Sequence, residues 1–132
     1  VVLNIDPSEG IFPYERSYDN FRQMFNIENG NVIPFNALDF NLVKAYFDYL
    51  INPLKAEGVD FFWIDTNDIQ AKDTLWLLDN YHYFVGSMDY RKRPFIMTRN
   101  SNVVEHRYPV TYSGKTIVSW DTLKKIPKYK QS

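Results

Sequence analysis

"GVDFFWIDTND", residues 58–68, decides the architecture. Glycine opens the stretch, an apolar run from Val59 to Ile64 is interrupted only by Asp60, and carboxylates with an amide close it. A short, dense apolar run bounded by turn-forming residues reads as a buried strand. Its lack of strict alternation points to a parallel strand covered on both faces. Asp65 then stands where burial stops.

Three further runs read as strands, "VVLNI" at 1–5, "PFIMT" at 94–98 and "PVTY" at 109–112, and the first two of these are nearly continuous as well. Helical spacing fills the intervals. Over 39–57, Phe40, Val43, Phe47, Leu50 and Leu54 recur three and four residues apart, with Asp39 as N-cap, Gly58 as the stop and Pro53 as a kink or restart. A second helix over 72–85 presents Leu75, Trp76, Leu77, Leu78 and Phe84, with Trp76 read as core. A third falls around 14–25, and a fourth starts near Thr116, where "TIVSWDTLKK" sets Ile117, Trp120 and Leu123 on one side. The order β-α-β-α-β-β-α predicts an α/β fold with a parallel sheet and right-handed crossovers. No internal repeat and no low-complexity linker divides the chain, so it reads as one domain.

Composition narrows the function. The 132 residues carry 15 basic against 16 acidic side chains, a formal charge of −1, which supplies no field for nucleic acid or polyphosphate. Ten Tyr, ten Phe and three Trp suit packing, or stacking on flat ligands such as sugar rings. Without cysteine there is neither a disulfide nor a thiolate metal site, and a reducing, cytoplasmic compartment is permitted. No apolar run reaches the roughly 20 residues that span a bilayer. His82 and His106 are isolated in sequence and make no metal site, and "DTND" at 65–68 lacks the later ligand positions of a calcium loop. No cofactor or metal is expected. The chain opens on "VVLNID" without an initiator methionine, as a strand already under way, and reads as a segment of something longer.

In parallel α/β folds ligands sit beyond the carboxyl ends of the strands. Those ends carry Asp6, then Asp65 with Asn67 and Asp68, then Arg99, then Ser113-Gly114-Lys115. Singly, each has a plain structural reading as a helix cap or a surface pair. Together they suggest a site. An ionised Asp65 beside Arg99 would suit a nucleophile that attacks an electrophilic carbon and forms an ester, with Trp63 packing on a sugar ring.

Several segments also resemble glycoside hydrolase family 31, the α-glucosidase and α-xylosidase family, within its catalytic (β/α)8 barrel. "IPFNALDFNLVKAYFDYLINPLKAEGVDFFWIDTND" is similar to the segment leading into the nucleophile strand, "KRPFIMTRN" to the next strand, and "HRYPVTYSGKTIVSW" to the strand and loop bearing the acid/base. The resemblance covers nearly the whole chain. It implies that Asp65 is the catalytic nucleophile and that Arg99 and Trp63 contact substrate. Asp68, at the same strand end as Asp65, and His106, in a loop, are further substrate-binding candidates read from the residues alone. The family's acid/base aspartate falls on Lys115, within Ser113-Gly114-Lys115-Thr116. Lysine, with a reference pKa near 10.4, is a weak proton donor to a glycosidic oxygen, and its charge opposes an oxocarbenium ion.

The resemblance further implies a partial TIM barrel, strands three to six, about half of a fold that needs roughly 250 residues. Such a half has parallel edge strands and an uncovered sheet face. The isolated chain is therefore expected to be inactive and to associate with the remainder of the barrel or with itself. The implied partner is carbohydrate, an α-glucoside or α-xyloside, with no role for nucleic acid or membrane. The alternative is a non-catalytic carbohydrate-binding or degenerate homologue that has lost its acid/base.

Overall fold

Four parallel strands lie side by side in chain order: β1 (Val2–Ile5), β2 (Phe61–Ile64), β3 (Ile96–Thr98) and β4 (Val110–Thr111). This computed structural model describes residues 1–65, 72–89, 92–98, 107–112 and 117–124. The helices are α1 (Tyr18–Phe25), α2 (Phe40–Tyr46), α3 (Asn52–Ala56) and α4 (Lys72–Ser87). All three strand pairings are parallel, as the dense apolar runs predict.

Register sorts the side chains between two faces. Leu3, Phe62 and Ile96 share one row, and Ile5, Ile64, Thr98 and Thr111 share another on the same face. Among these, Phe62, Ile64, Ile96 and Thr98 are buried. They lie in or against a core that includes Val43, Tyr46, Phe47, Ile51 and Leu78 from the helical segments. Each large apolar side chain removed from water there contributes about 1.5–3 kcal/mol.

Alternation sends Val2, Asn4, Phe61, Trp63, Met97 and Val110 to the opposite face. Trp63, Met97 and Val110 are only half-buried there, and Val2 and Asn4 are exposed. Coverage of both faces, the expectation from the near-continuous runs, is therefore not what the described residues show. Rings on this open face pack on one another: Phe61 on Phe95 at 4.5 Å and Trp63 on Tyr112 at 4.8 Å between centroids.

The helical region over 39–57 starts and stops where its residue types dictate. Asp39 takes an extended conformation, and its carboxylate accepts from the backbone N–H groups of Asn41 (2.9 Å) and Leu42 (3.2 Å). Phe40, expected in the apolar stripe, is exposed at the first helical position, while Leu42, Val43, Ala45 and Tyr46 face inward. Pro53 cannot donate to the carbonyl four residues back. The chain widens into one π turn over Phe47–Ile51 and restarts as α3 with Pro53 in its first turn. Gly58, at φ +108°, closes the helix. Its N–H reaches Lys55 O (3.1 Å) and that of Val59 reaches Leu54 O (3.1 Å), a Schellman arrangement.

Three helix expectations need correction. The helix placed over 14–25 begins at Tyr18, because residues 12–17 form turns instead. Trp76, read as core, lies on the outer side of α4 and is exposed, as is Phe84. Among its described side chains, α4 buries Leu78, Asp79 and His82, so the inward face is partly polar. The last helix starts at residue 120 rather than near Thr116. Ser119 Oγ accepts from the Thr122 N–H (3.2 Å) as its cap, which leaves Ile117 outside the helix and exposed.

Candidate functional site at the carboxyl edge of the sheet

The row Ile5, Ile64, Thr98 and Thr111 marks the last paired residues of the four strands. One residue further on stand Asp6, Asp65 and Tyr112. Two backbone bonds extend the alignment: Asp65 N–H donates to Ile5 O (3.2 Å), and Tyr112 N–H donates to Thr98 O (2.7 Å). With neighbouring strands about 4.8 Å apart, Asp65 lies in the middle of this edge rather than at its margin.

Asp6 has a structural task. Its carboxylate accepts from the backbone N–H of Ser8 (3.1 Å) and from the Ser8 hydroxyl, capping the 3-10 turn Pro7–Glu9. Asp65 is different. Asp65 directly follows β2, half-buried, and continued strand alternation puts it on the same face as Trp63, away from the helices.

The Trp63 indole N–H is buried and finds no acceptor among the described residues. A buried donor without a partner costs about 1–3 kcal/mol, a penalty that a bound hydroxyl oxygen would relieve. Its ring meets Tyr112 nearly edge-on, at an interplanar angle of 83°. The edge therefore brings together a carboxylate, an unsatisfied N–H and two aromatic rings. Asp68, Arg99, His106 and Lys115 lie outside the described residues. Of the six candidate site residues, the structure places Asp65 and Trp63 on one face at the end of β2. Among the described residues no group of three or more His, Asp or Glu side chains could hold a metal ion.

On the helix side the sheet carries a polar layer that sequence reasoning missed. Thr98 Oγ1 donates to Asp79 Oδ2 at 2.8 Å, and the Tyr46 hydroxyl lies 2.9 Å from His82 Nε2, all four residues being buried. The His82 ring also sits against Tyr46, Phe47 and Phe62, with centroids 5.0–5.6 Å apart. Burial, reinforced by the nearby Lys55 cation, depresses its pKa to about 3. Burial pushes the Tyr46 hydroxyl well above its ordinary pKa, with the Asp79 charge adding to the effect. Both rings stay neutral near pH 7 and act as packing elements that share a hydrogen bond. The i, i+3 spacing of Asp79 and His82 on a helix otherwise rich in leucine was the available signal.

Among the described residues, a cavity of about 560 Å³ lies at the other end of the sheet, lined by Lys55, Asp60, Phe61, His82, Lys92 and Phe95 among others. It opens where β2 and β3 begin. Side chains there lie at the opposite end of the strand from Asp65. A smaller cavity of about 230 Å³ lies between β1 and the helical segments, lined by Leu3, Ile5, Phe35, Tyr46 and Leu50 among others. No helix among the described residues is long and apolar enough to cross a membrane. Comparison with protein-family models and with curated proteins returned no match to this sequence.

Proposed function

We propose that this chain is a sector of a (β/α)8 barrel belonging to a retaining α-glycoside hydrolase similar to glycoside hydrolase family 31, acting on an α-glucoside or α-xyloside. The observation that carries the reading is Asp65, which directly follows a central strand on the same face as Trp63 and its unsatisfied indole N–H. Strand order lends support. A doubly wound sheet reverses its order at a switch point and carries helices on both faces, whereas a barrel adds strands sequentially and keeps its helices outside. The sequential order and the one-sided helical cover of the described residues suit a barrel wall whose open face is the interior. In this reading the remaining wall comes from further barrel strands or from association of chains.

Chemically, an Asp65 oxygen would attack the anomeric carbon as the bond from that carbon to the leaving oxygen breaks, leaving a glycosyl ester that water then hydrolyses. Lys115 stands where the resemblance puts the proton donor, so a leaving group that needs protonation should depart about 10² to 10⁴ times more slowly than with an aspartate there. Lys115 thus favours a second reading, a carbohydrate-binding homologue without turnover.

An aryl α-glycoside separates the two, because its leaving group needs no proton. With the barrel closed, incubation with 2,4-dinitrophenyl α-glucoside or α-xyloside and peptide mapping should find a glycosyl ester on Asp65, absent in Asp65→Asn. Oligosaccharide binding without any ester would select the binding homologue instead.

A further inference from the structure

We propose that the cavity of about 560 Å³ at the amino end of β2 and β3 binds a small organic monoanion, a carboxylate carried on a flat apolar body. Its volume lies within the roughly 300–1,000 Å³ of small-molecule sites. All of its lining residues are described, so the site needs no further barrel strand to complete it. It lies at the opposite end of β2 from Asp65 and is independent of the carbohydrate reading above.

The lining has an apolar part that is already dry. Val59, Phe62, His82 and Ile96 are buried, and the His82 ring, bonded to the Tyr46 hydroxyl and neutral near pH 7, brings no charge. Phe61 and the exposed Phe95 meet edge to face at 4.5 Å and add aromatic surface. The backbone around it is fixed. Gly58 and Val59 N–H groups close the end of α3 on Lys55 O and Leu54 O, and Lys92 N–H donates to Asp89 O, each at 3.1 Å. A site ordered in advance loses little entropy on binding.

Charge selects the ligand. Three cations, Lys55, Lys92 and Arg93, line the cavity against two carboxylates, Asp60 and Asp89. Lys92 Nζ lies 3.7 Å from Asp60 Oδ1, and Asp89 has a partner as well. Among the described residues, the Lys55 ammonium and the Arg93 guanidinium make no hydrogen bond and no close ion pair. Lys55 is half-buried: burial holds its pKa below the usual lysine value, the Asp89 charge opposing the drop and the Lys92 charge adding to it. An anion reaching this ammonium would supply the counter-charge it lacks. Arg93 offers a planar fork of donors that matches a carboxylate. The surplus of three cations over two carboxylates is one charge, which a carboxylate cancels. A phosphate monoester, with about −1.5 to −2 at pH 7, would overshoot beside Asp60 and Asp89.

Titration calorimetry with 2-naphthoate, 2-naphthalenemethanol, acetate and 2-naphthyl phosphate tests this on the wild-type protein, Lys55→Met and Arg93→Gln. Naphthoate should bind about tenfold more tightly than the neutral alcohol or than the phosphate ester, and acetate, which lacks the apolar body, more weakly still. Lys55→Met keeps an apolar stem and should weaken naphthoate about tenfold without moving the alcohol. Arg93 is exposed, so Arg93→Gln should keep the fold and weaken naphthoate in the same direction. Proton signals of the His82 ring, assigned with His82→Gln, should shift on adding naphthoate. Naphthoate binding no tighter than the alcohol, the phosphate ester binding more tightly than naphthoate, or an affinity unmoved by both substitutions overturns the proposal, as does a His82 signal that stays in place. None of these results bears on Asp65, whose role is decided by the glycosyl ester.

Discussion

Lowering the pH from 7 to 5 should destabilise this protein through one side chain, His82. The ring is 4% exposed, pressed against three aromatic neighbours and bonded to Tyr46, and its folded-state pKa is about 3 against an ordinary 6.5. Between those two values the unfolded chain binds a proton that the folded chain refuses, so stability rises with pH across this window. The contribution is complete above about pH 6.5 and is lost as pH falls below it, at up to about 1.4 kcal/mol per unit. From pH 7 to pH 5 the loss comes to about 2 kcal/mol. Against a typical total of 5–15 kcal/mol this is large. Urea denaturation at pH 7, 6 and 5 reads it as a falling midpoint, by about 1 M if the slope is near 2 kcal/mol/M. His82→Gln supplies the control: glutamine can keep a hydrogen bond to the Tyr46 hydroxyl but does not titrate. Its stability should be lower at pH 7, yet fall less by about 2 kcal/mol between pH 7 and 5. Parallel decline of the two proteins would refute the reasoning, because carboxylates common to both would then account for the whole dependence.

Gly10→Ala should lower the thermal midpoint clearly, since the new methyl group meets Ile33 O at 2.5 Å and the backbone sits at φ +90°; a cost of at least about 2 kcal/mol is expected in denaturant titration. Phe62→Ala, at a buried position beneath His82, should cost about 3–5 kcal/mol by the same measurement, among the largest effects of any single truncation in the sheet.

Much of the fold was legible because its signals are local. Apolar runs stop at polar residues, Asp39 and Gly58 have the side-chain chemistry their caps demand, and Pro53 cannot sit in an unbroken helix interior. Each of these features lies where the sequence puts it. Other features depend on tertiary packing. Trp76 and Phe84 carry the same apolar signal as Leu78, and only the direction in which α4 faces the sheet leaves the first two outside. Asp79 and His82 look like surface residues until Thr98 and Tyr46 are brought to them across the core. For the candidate site, Asp65 and Trp63 could be found together because residues two apart along an extended segment share a face.

The chain-order arrangement of the strands has a kinetic consequence. Residues 99–109 separate β3 from β4, whereas residues 6–60 separate β1 from β2, a roughly fivefold longer connection. For flexible loops that ratio corresponds to about 1.4 kcal/mol of additional closure entropy. Pairing should therefore advance from the β3–β4 end toward β1, which docks last along an edge already formed. In the folded protein the same strand, with Val2 exposed and no neighbour on its outer side among the described residues, should be the first whose amide protons exchange with solvent.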